Sequence, residues 1–220
     1  MRRAGPMVPC RPMSAASMGA TCAGGAARAL LLTLALSVFG RPLFAGELAK
    51  NALAAPEPQG YWTGPINSTV PVTIAGGKVI QEAHDLQALL RGGGVVVMDV
   101  SNAPRRPENL APGAPWLPLP HQAIPGSLWI PGVGLGEIPP SVDTFFRDRL
   151  AAVTGGDPAR RVVIYCHETC WLSWNAAKRA IHYGYRNVYW FRDGIEGWKA
   201  AGLPTAIIKP EAEPESDSHP

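Results

Sequence analysis

Three stretches of this chain are almost continuously apolar and rich in β-branched residues: VVVMDV at 95–100, VVIYC at 162–166 and VYWF at 188–191. Runs of this kind suit strands buried on both faces, as in a parallel sheet. Between and around them the apolar spacing changes to that of helices. EAHDLQALLRGGG puts Leu86, Leu89 and Leu90 on one helical face ahead of a glycine stop. SVDTFFRDRLAAVTGG predicts a helix with Ser141 as its N-cap and glycine at its end, and SWNAAKRAIHYG one ending at Gly184. IEGWKAAG predicts a short helix after the turn at Asp193-Gly194. VTIAGGKVI alternates about Ala75-Gly76-Gly77 and predicts a short hairpin, and SLWIPGVG a short strand and a turn. The intervening SNAPRRPENLAPGAPWLPLP has too many prolines for regular structure and predicts a long loop. Strands alternating with helices imply an α/β fold with a parallel central sheet flanked by helices on both faces. In such sheets ligands gather at the carboxyl ends of strands, and two ends carry chemistry here: Asp99 and Cys166.

The first 45 residues read as an address. Arg2, Arg3, Arg11 and Arg28 precede the apolar run ALLLTLALSVFG at 29–40, which is too short to span a bilayer and fits a secretory h-region. Small residues after it offer cleavage following Ala45 or in the ALA at 52–54. The expected organisation is a signal peptide at 1–45, an arm or linker at 46–75, a domain at 76–208 and a disordered acidic tail at 209–220. Cleavage leaves no stable membrane span and sends the mature protein to the periplasm. It also removes five arginines and no acidic residue, so the formal charge falls from +3 to −2. That excludes a basic patch as a reason to expect nucleic acid as partner.

Cleavage also removes Cys10 and Cys22 and leaves Cys166 and Cys170 as the only thiols. In an oxidising compartment two nearby thiols form a disulfide, a redox pair or a metal clamp. Cys166 ends a strand just before a helix, where turn N–H groups and the helix dipole favour a thiolate. On that ground Cys166 is the expected nucleophile and Cys170, four positions on, the resolving thiol, with His167 or Glu168 tuning protonation. A C-x5-R phosphate cradle would need arginine where Leu172 stands, and C-x-x-C-H haem attachment is absent. No fourth ligand accompanies Cys166, Cys170 and His167, so no metal site is expected. Trp171 and Trp174 near the helix start form either core or a flat apolar wall for a ring-shaped ligand.

In order along the chain, VVVMDV, IPGSLWIP, VVIYC before a helix, GYRNVYWFRDGIEGW and AGLPT resemble a rhodanese-like domain over roughly residues 76–205. The resemblance implies a single such domain and sets Cys166 at the position of the persulfide-carrying cysteine. It sets Gly194 and Trp198 in the closing motif, with Asp193 at that motif's first glycine. The family's active loop is typically C-x-x-G-x-R, whose glycine opens the loop and whose arginine binds the anionic sulfur donor. Those places hold Thr169 and Trp171 here, which leaves Arg105 or Arg106 on the loop after Asp99 to supply charge. APRRP, IPGSLWIPGVG and CWLSWNAAKRA further resemble the PQQ-dependent catabolism-associated CXXCW motif proteins, although three residues separate the cysteines here. This implies a periplasmic partner in a PQQ-dependent dehydrogenase system. No cofactor of the protein itself is firmly implied, only an indirect link to pyrroloquinoline quinone. The expected function is an exported Cys166/Cys170 thiol–disulfide or persulfide protein. The alternatives are a non-enzymatic module binding a partner, a quinone or copper, and a thiosulfate-type sulfurtransferase.

Overall fold

The computed structural model describes residues 54–211. The leader and nearly all of the acidic tail lie outside those residues. Five strands form one sheet: β1 Lys78–Ile80, β2 Val95–Asp99, β4 Leu128–Trp129, β5 Arg161–Tyr165 and β6 Asn187–Phe191, in the order β1-β6-β5-β2-β4. Every pairing in it is parallel. The helices are α1 Ala83–Arg91, α2 Pro140–Thr154, α3 Trp171–His182 and α4 Gly194–Ala200.

The β-branched runs divide their side chains between two cores, as strand alternation requires. In β5, Val162 and Ile164 face one core, while Val163 and Tyr165 face the other. Phe146 and Leu150 of α2 and the tryptophans and alanines of α3 fill the first core. Ala83 and Leu86 of α1 and Ile195 and Trp198 of α4 fill the second. The α/β architecture with helices on both faces is therefore as the sequence predicts.

Three local expectations change. Residues 72–74 form no strand, and β1 pairs in parallel with β6 rather than in a hairpin. The helix expected to be capped by Ser141 starts at Pro140, with no side-chain cap; proline at the first helical position lacks only an N–H that would be orphaned anyway. A second, antiparallel pair, β3 His121–Ala123 with β7 Ala206–Ile208, was not legible in the sequence.

Of the two readings of residues 46–75, arm or linker, the described part packs as an arm. Residues 54–74 run across α3, whose residues 171–180 are all buried. One face of α3 meets the sheet, and the arm and the 133–136 turn cover its polar residues. Asn175 accepts from the Trp62 N–H and donates to the Trp62 and Gly134 carbonyls. Lys178 donates to the Pro58 and Gln59 carbonyls at 2.8 and 2.7 Å, and Arg179 to those of Val133 and Gly136. Buried charge is tolerated because these carbonyls satisfy it. Among the described residues no helix is long and apolar enough to cross a membrane.

Candidate active site

Strand β5 ends at Tyr165, and α3 begins five residues after Cys166, with Cys170 as its N-cap residue in extended conformation. The turn between them is closed by Thr169 in the left-handed region, at φ 55°, the only such non-glycine among the described residues. A β-branched residue is costly there. Gly194 supports the turn from below. Its own φ is 56°, and a Cβ on it would stand 2.4 Å from the Cys166 carbonyl oxygen, so no side chain fits. The next residue, Ile195, donates its N–H to that carbonyl at 2.9 Å.

This turn brings Cys166 and Cys170 within 2.6 Å of each other as free thiols. Both are buried, at 0% and 2% exposure. Their surroundings are opposite in character. The Cys166 sulfur is ringed mainly by acceptors: Ser173 Oγ at 3.1 Å and the Cys170 and His167 carbonyls at 3.5 and 3.7 Å. Burial pushes its pKa well up, the neighbouring Cys170 pushes it further, and the Ser173 hydroxyl and N–H offset this only in part. Cys170 is ringed by donors. The neighbouring Cys166 thiol, and after it the Leu172 and His167 N–H groups, lower its pKa to about 7 against its own burial. Burial therefore opposes a thiolate on Cys166, while the Leu172 and His167 amides favour one on Cys170 and the Ser173 amide favours one on Cys166.

His167 and Glu168 stand on the outer side of the turn. His167 Nδ1 lies 2.8 Å from Glu196 Oε1, and that bond raises the imidazole pKa despite partial burial. Burial pushes the Glu196 carboxyl up, but its bonds to His167 and to the Glu168 N–H outweigh this and hold it below the usual range. Protonated His167 in turn favours the Cys170 thiolate. Ser173 and Glu196, absent from the sequence-based site, complete the group. Ser173 follows Cys170 by three positions, one helical turn, which is the signal that would have found it. Ser173 Oγ also accepts from Trp190 Nε1 at 3.0 Å.

Several expected loop residues do other work. Asp99 is fully buried on the second-core side of the sheet. It accepts from Ser101 N and Oγ and lies 2.8 Å from His121 Nε2, so its carboxylate holds β3 rather than a ligand. Arg106 donates to the Ala111 and Ala114 carbonyls of its own loop, and Arg105 lines a cleft beside Ile66; neither is bonded to the sulfurs. Trp171 offers no open wall, because it is 1% exposed and stacked on Trp62 with centroids 4.4 Å apart. No group of three or more His, Cys, Asp or Glu among the described residues is arranged to hold a metal.

The arm closes over the pair. Asn67 bridges to Cys170 in antiparallel fashion, with Ser68 N donating to Thr169 O and Trp171 N to Ile66 O, both at 3.0 Å. Trp171 Nε1 donates to Ser68 Oγ at 2.9 Å.

Residues 82–201 match a family model described as Rhodanese-like domain. Among solved structures, the chain is similar to a thiosulfate sulfurtransferase from Pseudomonas aeruginosa at 23% identity and a TM-score of 0.42, covering 61% of this chain and 21% of that one. It is also similar to the rhodanese-like domain of an Anabaena protein at 18% identity and a TM-score of 0.38, covering 64% and 90%. The chain thus spans about a fifth of the first and most of the second. The comparison with curated proteins gave no match.

Proposed function

The chain belongs to the rhodanese-like domain family, and from that premise we propose that it is a thiol–disulfide exchange protein in which Cys170 attacks and Cys166 resolves. One observation carries this reading: two free thiols lie within 2.6 Å in one turn, one surrounded by donors and the other mainly by acceptors. The thiolate is the attacking form, and a pKa close to ambient pH balances thiolate fraction against nucleophilicity. In the step, the Cys170 thiolate displaces one sulfur of a substrate disulfide and forms a mixed disulfide. The Cys166 sulfur then attacks Cys170, its proton passing to the departing substrate thiolate. The substrate disulfide gains two electrons, and the protein pair becomes a disulfide that a second dithiol reduces.

Persulfide transfer fits the same geometry less well. A persulfide on Cys170 would lie beside the Cys166 sulfur, whose attack would form the protein disulfide and expel hydrosulfide. The site also lacks the arginine of the family's loop, as Trp171 stands there. We assign the protein to the periplasm on the strength of its arginine-bearing leader and apolar run at 29–40. We associate it with PQQ-dependent alcohol oxidation on the strength of the APRRP and CWLSWNAAKRA segments. The sulfur chemistry stands apart from both assignments.

The test is trapping with oxidised glutathione followed by mass spectrometry. Wild-type protein, whose pair lies buried under the arm, should finish slowly with a Cys166–Cys170 disulfide. Cys166→Ser should stall with glutathione on Cys170, and Cys170→Ser should react at least tenfold more slowly. A glutathione adduct that forms on Cys166 at the wild-type rate when Cys170 is absent would reverse the assignment. Thiosulfate–cyanide turnover that depends on Cys170, without any disulfide forming, would replace exchange by sulfur transfer.

A further inference from the structure

As it stands the pair is sealed: Cys170 is 2% exposed, and Cys166 is not exposed at all. A strand-like stretch of the arm lies alongside Cys170. Ser68 N donates to Thr169 O and Trp171 N to Ile66 O, so Asn67 and Cys170 form a non-hydrogen-bonded antiparallel pair. Side chains come closest in pairs of that type. If the arm lifts, the Thr169 carbonyl and the Trp171 N–H lose their partners, and unpaired main-chain groups are costly. Another extended main chain restores both bonds, whereas a small thiol restores neither. This is strand addition, in which main-chain bonds give affinity and neighbouring pockets give selectivity. A cleft of about 760 Å³ lined by Ile66, Pro104, Arg105, Pro131 and Leu135 opens beside the same point and gives room for such a chain to continue.

We propose that Ile66, Asn67 and Ser68 are an internal stand-in for the substrate, which is an extended, cysteine-bearing segment of a partner polypeptide laid along Thr169–Trp171 with its cysteine where Asn67 now lies. The proposal rests on the thiol–disulfide reading and names the substrate class of that site. The Cys170 thiolate attacks the partner's cysteine sulfur and expels the sulfur bonded to it as a thiolate. Cys166 then attacks Cys170 and releases the partner's cysteine as a thiol. The arm returns once the partner leaves, and the pair is again closed to small thiols.

The experiment uses the full chain and two chromogenic disulfides. One is the peptide of residues 62–70 with cysteine in place of Asn67, joined to thionitrobenzoate. The other is cysteine joined to thionitrobenzoate. Ser68→Pro removes the Ser68 N–H bond to Thr169 and the Trp171 Nε1 bond to Ser68 Oγ and leaves the cysteines untouched; Trp62→Ala, which removes the stack on Trp171, serves if the proline variant fails to fold. Release of thionitrobenzoate should be slow with the wild type for both compounds. With the arm-loosened variant the peptide should react at least tenfold faster than the cysteine compound. Separately, Asn67→Cys in the otherwise native chain should form a disulfide with Cys170 on mild oxidation, mapped by mass spectrometry. Equal rates for the two compounds in the loosened variant, or no such crosslink, would overturn the stand-in while leaving exchange chemistry intact. If neither compound reacts although iodoacetamide alkylates Cys170, the exchange reading itself fails, and this inference with it.

Discussion

The division of labour between the two sulfurs makes a quantitative prediction for Cys166→Ala. The pKa of Cys170 falls from 9.0 to about 7, with the hydrogen bond from Cys166 as the largest cause. That fall corresponds to roughly 3 kcal/mol of preference for the thiolate. Removing the Cys166 thiol leaves the Leu172 and His167 N–H groups and the His167 charge, while the opposing effect of burial remains. The midpoint should therefore move back toward 9. At pH 7 the thiolate fraction would fall from about one half toward roughly one in a hundred. Cys166→Ser retains an O–H donor and should stay near the wild-type midpoint. The assay is thiolate absorbance at 240 nm against pH, with Cys170→Ala as the blank that reports Cys166 alone. A midpoint in Cys166→Ala that remains near 7 would refute Cys166 as the controlling donor. A thiol titrating near 7 in Cys170→Ala would show that the sulfurs had been assigned the wrong way round.

Two further outcomes follow from the same turn. Because the folded-state pKa of Cys170 is depressed, its contribution to stability is present above 9 and is lost as pH falls through about 7. The raised Cys166 acts oppositely at higher pH, since its thiol stays neutral in the fold while the unfolded thiol ionises. Denaturant titrations of the reduced protein should show stability rising from pH 7 toward 9 by up to roughly 3 kcal/mol and then declining; a flat profile would contradict this. Glycine substitutions should separate the two positive-φ positions. Gly194→Ala, whose Cβ meets the Cys166 carbonyl at 2.4 Å, should cost roughly 2–4 kcal/mol, and Thr169→Gly should stabilise by up to about 1 kcal/mol, both read by thermal melting.

The fold was legible because its strands are extreme. VVVMD and RVVIY serve two cores at once, so nearly every residue is apolar and the pattern admits little else. The pair of cysteines was legible by elimination. Which sulfur the surroundings favour as thiolate is not set by spacing, because it depends on donor direction. Strand-to-helix spacing says that amides will be near; the backbone path brings the Leu172 and His167 N–H groups to bear on Cys170 and the Ser173 N–H on Cys166. The buried Asp99–His121 contact was missed for a related reason. It pairs a strand end with a residue beyond a twenty-residue loop, and no local period records such a contact. The arm was legible only in outline. Its prolines and glycines read as a linker or an extended arm, since composition reports the absence of helix or strand, not the absence of packing. The clue lay in α3. A helix whose polar face carries Asn175, Lys178 and Arg179 yet is buried over residues 171–180 needs a cover rich in carbonyls. An extended, proline-containing segment supplies that cover, because its carbonyls are not consumed by regular structure.

The same reasoning explains why the loop tolerates losing the family's glycine and arginine. A loop that holds a free anion needs a cation and an open main chain. Here a thiolate on Cys170 would be balanced by main-chain and thiol donors, beside a His167 imidazole whose pKa Glu196 raises. An arginine at position 171 would bring a second positive charge where Trp171 is sealed by Trp62, and burying it there without a partner would cost several kcal/mol. The carbonyl of the left-handed Thr169 accepts from Ser68 N of the extended arm. On the proposed reading, the absent arginine, the left-handed threonine and the docked arm belong together, because they suit a site for a main chain better than one for a small anion.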